Sequence, residues 1–219
     1  MKRLTLGVLA GMFFLVVISS FSYAQTMNGT MMEKASRVIA CTKADLDLRL
    51  AMRKLWEDHI TYTRNYIISA LSDSGDVDAI AGRLLKNQDD IGDAIKPYYG
   101  DDAGKKLSSL LRDHILIATE VVKAAKLGNN DELDKASKKW NANADDLAVF
   151  LSGANPNWAK KDLTDMLYKH LVLTTGEVVS RLKKDWAADI NFYDQGHLHM
   201  LMFADMLTDG IEKQFPDKF

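Results

Sequence analysis

Residues 103–124 read AGKKLSSLLRDHILIATEVVKA, and the placing of their apolar side chains decides the fold class. Ala103, Leu107, Leu110, His114, Ile117, Val121 and Ala124 follow one another in steps of four and three. Such steps keep a residue on one stripe of a helix with 3.6 residues per turn, whereas a strand repeats every second residue. The stripe is apolar throughout except for His114. Two other stretches carry the same kind of seam: Leu48, Met52, Leu55, His59, Tyr62, Tyr66 and Ala70, and then Leu163, Met166, His170, Leu173 and Glu177. No segment after Thr42 sustains a strand alternation, so the expected class is all-α.

Helix ends follow from the breakers. Thr42 with Asp45 three residues later has the form of a capping box and starts a first helix at about 43–71. Ser72-Asp73-Ser74-Gly75, Pro97 to Gly100, Leu127 to Asn130, Ser152 to Trp158, Lys184-Asp185 and Phe215-Pro216 interrupt the pattern further on. Six helices are expected, at about 43–71, 76–96, 103–126, 130–151, 159–183 and 186–213. Lys184-Asp185 is the weakest break, so the last two helices could be partly continuous.

The odd helices resemble one another around a histidine. His59, His114 and His170 lie 55 and 56 residues apart, and in the even helices Asn87, Asn143 and His199 are each 56 apart. This spacing reads as a helical hairpin used three times. The midpoints between successive members of the six fall on the breakers. In an antiparallel up-and-down bundle that places all six polar groups at one height. One domain over 42–219 is expected, preceded by an extension at 25–41.

The chain opens with Met1-Lys2-Arg3, continues through apolar Leu6 to Ile18, and reaches Ser22-Tyr23-Ala24. A basic start, a short apolar core and small residues at the end describe a secretory signal cleaved before Gln25. The destination is then periplasmic or extracellular, with a membrane attachment only if the signal stays uncleaved. Overall, 28 basic residues stand against 30 acidic ones, and losing Lys2 and Arg3 widens that deficit to four. A nucleic-acid binder would carry a basic stripe, and none is present. Cys41 is the only cysteine, so stability rests on the core rather than on an internal disulfide.

The candidate site is the polar layer. His59, His114, His170, His197 and His199, with Glu177 and Asp194 as carboxylate companions, are the candidate metal ligands; Asn87 and Asn143 are candidate cofactor-binding groups. Imidazole with carboxylate suits zinc, copper, iron or nickel, and bundle proteins build metal sites from inward His and Glu/Asp on facing helices. Asp194-x-x-His197 is the nearest approach to a Glu-x-x-His ligand pair, and it occurs once. Arg64, Arg181 and Glu120 lie at levels where they could pair with such groups. Thr63 and Thr174, one turn after His59 and His170, are expected to bond back to the helix. No nucleophile stands in a recognisable elbow, so the reading leans away from an enzyme. Two functions compete: an exported protein binding a transition metal or small ligand, and a structural or interaction module of the cell envelope whose polar layer fixes helix register.

Overall fold

The computed structural model describes residues 42–219; the expected signal peptide (1–24) and extension (25–41) lie outside them. Described residues form five α-helices and no strand: α1 (Lys43–Leu71), α2 (Val77–Leu127), α3 (Asn130–Ala154), α4 (Lys160–Leu182) and α5 (Trp186–Gln214), then a 3₁₀ turn at Pro216–Lys218. None of these helices is long and apolar enough to cross a membrane.

Local chemistry sets the ends. The Thr42 hydroxyl accepts from the Asp45 amide at 3.1 Å, and the Asp45 carboxylate accepts from the Thr42 amide at 2.7 Å. Two amides that the first turn leaves without helical partners are thereby satisfied. Asn129 and Asp185 cap α3 and α5 in the same way, accepting from the Glu132 and Ala188 amides. Lys184 adopts a left-handed φ of 59° directly before the Asp185 cap, so α4 and α5 are separate helices.

Where six helices were expected there are five, because helical hydrogen bonding continues past Pro97 and only Gly100 leaves helical geometry, at φ 82°, ψ 169°. That region is open to glycine alone at low cost. The chain nonetheless reverses there. Arg112 donates to the Leu85 carbonyl across the bend, and Gly92 lies so close to Gly104 that an added Cβ would come within 2.5 Å of the Gly104 carbonyl oxygen. The two limbs of α2 thus pack as an antiparallel pair held at a glycine–glycine contact.

Neighbouring segments run antiparallel throughout, and α5 closes back on α1. Arg53 reaches Asp205 at 2.6 Å, while His197 reaches Glu57. Core residues on α1, on the second limb of α2 and on α4 occur at matching positions: Met52, Leu107 and Leu163; Trp56, Leu111 and Leu167; Ile60, Ile115 and Leu171. Farther along, Ile67, Val122 and Val178 pack together as one small cluster. These three segments therefore run parallel to one another and converge on the interior, with the histidines between apolar layers.

At the opposite end from that cluster, Tyr99, Asn155 and Gln214 tie two chain reversals to the C-terminal end of α5. Asn155 donates to the Tyr99 hydroxyl at 2.8 Å, which donates to Gln214 at 2.9 Å. Burial pushes the Tyr99 phenol up to about 12, so it stays protonated and can serve as that donor.

Candidate functional site

His59, His114 and His170 meet in the interior. The His59 and His170 ring centroids are 5.5 Å apart, and those of His114 and His170 are 5.8 Å apart and stacked. Trp56 packs edge-on against His59, and Trp140 lies beside His114 at 5.3 Å, which makes a row of five aromatic rings across the bundle. All three imidazoles are buried. Because a charged ring there loses its hydration, burial lowers His59 to about 3 and His114 to about 4. Burial, followed by the nearby His59, His114 and His199, holds His170 well below the usual imidazole value. The three rings are neutral at pH 7.

The protons on two of these rings follow from their partners. Asn143 donates its amide N–H to the Leu110 carbonyl at 3.0 Å, which leaves its Oδ1 to accept from His114 Nδ1–H at 2.8 Å. The other ring nitrogen, Nε2, accepts from the Trp140 indole N–H at 3.1 Å. Both His114 nitrogens are occupied, in one tautomer, by protein groups. Gln88 repeats the logic: its NH₂ donates to the Leu84 carbonyl at 2.8 Å and to Asn87 Oδ1 at 3.1 Å, so its Oε1 accepts from His59 Nδ1–H at 3.3 Å. His170 differs, since its buried Nδ1 has no hydrogen-bond partner among the described residues.

A second regularity joins the even positions to the odd ones. Asn87 donates to the carbonyl of Leu55, Asn143 to that of Leu110, and His199 to that of Met166 at 2.8 Å. Each acceptor stands four residues before His59, His114 or His170. In an unstrained helix such a carbonyl already accepts one bond and has a second lone pair free. Thr63 and Thr174 do bond back, to the His59 and His170 carbonyls.

The remaining candidates are placed elsewhere. Glu177 does not approach Asp194, which is exposed. Instead it meets Arg64 at 2.6 Å, and Arg64 clasps Asp189 through both of its terminal nitrogens at 2.8 and 3.1 Å. Arg181 adds a further contact to Asp189 at 2.9 Å, giving one cluster of two buried carboxylates held by two partly buried cations. Burial raises Glu177 to about 7, against the opposing pull of Arg64. His197 sits at the rim beside Glu57 rather than in the interior. In the last helix, helical spacing predicts an inward seam through Trp186, Ile190, Tyr193, His197, Met200, Ala204, Leu207 and Ile211; Met200, Ala204, Leu207 and Ile211 are buried as expected, but Trp186 and Ile190 are both 53 % exposed, and Asp189 faces inward in their place. Arg64 and Arg181 bind Asp189 there, which lets a carboxylate occupy the inward position in the first turns of α5. Glu120 pairs with Lys139 at the surface.

Sequence reading passed over Gln88, Asp189 and the donor role of Trp140. Gln88 follows Asn87 directly and carried no spacing signal of its own. Asp189 lies in the first turn of α5, where an acidic residue reads as a dipole partner. Among the described residues, no group of three or more His, Cys, Asp or Glu is arranged to hold a metal ion. Comparison with known proteins assigns no relationship: no family model, no curated protein and no solved structure matches the chain.

Proposed function

We propose that this chain is an exported, non-catalytic helical module of the cell envelope, and that its interior His/Asn/Gln layer sets the register of three helical hairpins. The observation that carries the reading is the use of His114: both ring nitrogens are bound by Asn143 and Trp140, so the ring is a structural connector. The same side-chain bond to the carbonyl four residues before a histidine, at Asn87, Asn143 and His199, supports a hairpin used three times. A helix slipped by one turn would break these bonds and bury their polar groups unpaired, at about 1–3 kcal/mol each. Buried polar groups placed this way select one arrangement among similar apolar packings. Export is supported by Lys2-Arg3, the apolar run to Ile18 and the Ser22-x-Ala24 ending.

The test is a double-mutant cycle on His114→Leu and Asn143→Leu. Each single change strands a partner and should lower unfolding free energy by about 2–4 kcal/mol. The double change should recover at least half of that loss but give a less uniquely ordered core, read as broadened side-chain NMR signals. Additive losses with a sharply ordered core would refute the register role. Mass analysis of the secreted chain should show a start at Gln25; retention of residues 1–24 would refute cleavage.

A further inference from the structure

The register network uses His59 and His114 but leaves His170 out. Its Nδ1 is buried without a partner among the described residues, in a ring only 5.5 Å from that of His59. His59 is held by Gln88 as the Nδ1–H tautomer, so its Nε2 carries a lone pair. In the other two hairpins an amide oxygen meets the histidine, from Gln88 and Asn143. In the third, His199 donates to Met166 and supplies no acceptor to His170 Nδ1. In this ring row two buried polar atoms, His170 Nδ1 and the Trp56 indole nitrogen, lack a partner among the described residues, and the unused acceptor on His170 calls for an explanation, such as a bound group.

We infer that His59 and His170 form a two-nitrogen site for a soft monovalent cation of the copper(I) type. Two imidazoles sharing an ion at metal–nitrogen distances of about 2 Å have ring centroids about 6 Å apart or less, and the pair meets that limit. Neutral rings offer their lone pairs without first losing a proton. The charge of the ion is decided by what is missing from the site. A divalent ion in a protein normally gathers four ligands, often including anions. Here His114 is fully engaged, and the nearest buried carboxylates, Glu177 and Asp189, are committed to Arg64 and Arg181. An uncompensated double charge in this interior would be strongly opposed by lost hydration, whereas a single charge shared by two polarisable donors is opposed far less. Imidazole suits copper as well as zinc, iron and nickel, and of these copper is the one with a stable monovalent state. This inference does not rest on the register reading, since His170 Nδ1 takes no part in that network.

The experiment is an anaerobic copper(I) titration of the full-length chain against a chromogenic competing chelator, with His170→Leu, His59→Leu and His197→Ala variants. Methionines elsewhere, Met27, Met31 and Met32 among them, are the same in every variant, so the site is read as a difference. The expected result is one equivalent fewer per chain in the His170 and His59 variants and no change in His197→Ala. To guard against a variant that fails to fold, ring-nitrogen NMR of the ¹⁵N-histidine wild-type chain follows the same titration. His170 Nδ1 and His59 Nε2 should shift on addition of copper(I), with His114 and His197 unmoved. Unshifted His59 and His170 nitrogens, or equal copper uptake by all variants, would overturn the proposal.

Discussion

Acidification puts the neutral histidine layer under the most direct strain. In the unfolded chain an imidazole titrates near 6.5, whereas in the fold burial lowers His59 to about 3 and His114 to about 4. Below pH 6.5 the unfolded state therefore binds protons that the fold refuses, and stability falls as pH falls. At pH 4.5 each of these two rings has removed about 2.5 kcal/mol, about 5 kcal/mol together, and His170 acts in the same direction. Small domains hold only about 5–15 kcal/mol in total, so this loss approaches the whole. Glu177 opposes it. Its carboxyl, raised to about 7 by burial, takes up a proton in the fold before it does in the unfolded chain, so it adds stability as pH falls from 7 towards 4.5. Glu177→Gln removes that opposition and isolates the histidines. In this variant, urea unfolding followed by circular dichroism between pH 6 and pH 5 should show stability dropping by about 3–4 kcal/mol, the signature of close to three protons taken up on unfolding, by His59, His114 and His170. A drop of 1 kcal/mol per pH unit or less would refute the claim that the layer is buried and neutral.

Other consequences follow from single contacts. Gly92→Ala should destabilise by about 1–3 kcal/mol in thermal or urea unfolding, because its Cβ would stand 2.0 Å from Ser108 Oγ and 2.5 Å from the Gly104 carbonyl oxygen. Arg64→Met should cost about 3–5 kcal/mol by leaving Glu177 and Asp189 without their main cation, and stability should recover in part when Glu177→Gln is added. His197→Ala, at the rim beside Glu57, should change stability by no more than about 1 kcal/mol, and a larger loss would place that ring in the core after all.

The sequence made the helices legible wherever backbone chemistry is local. The Thr42–Asp45 box and the break before Asp185 could be read because a cap is written in adjacent residues. The convergence of His59, His114 and His170 was also legible, since equal spacing across antiparallel helices fixes equal height. The inward face of the first turns of α5 was not. The apolar stripe through Trp186 and Ile190 predicted an inward face, yet Asp189 holds that place because two arginines from other helices pay its desolvation. Long-range ion pairing of this kind leaves no periodic trace. Nor could spacing say whether the histidines were ligands or connectors. That depended on Trp140 and Gln88, whose hydrogen-bond roles exist only once the helices are packed. The break within Pro97–Gly100 was legible, and the chain reverses at Gly100; what the breakers did not show is that helical bonding runs past Pro97 up to that one residue.

The most direct test of the account is the tautomer and charge of His114 in the folded wild-type chain, read from long-range ¹H–¹⁵N NMR of its ring between pH 7 and pH 5. A neutral Nδ1–H ring throughout, with Nε2 accepting a hydrogen bond from an indole proton, is the result the account predicts. A protonated ring, or an Nε2–H tautomer, would contradict it, because His114 could not then join Asn143 to Trp140.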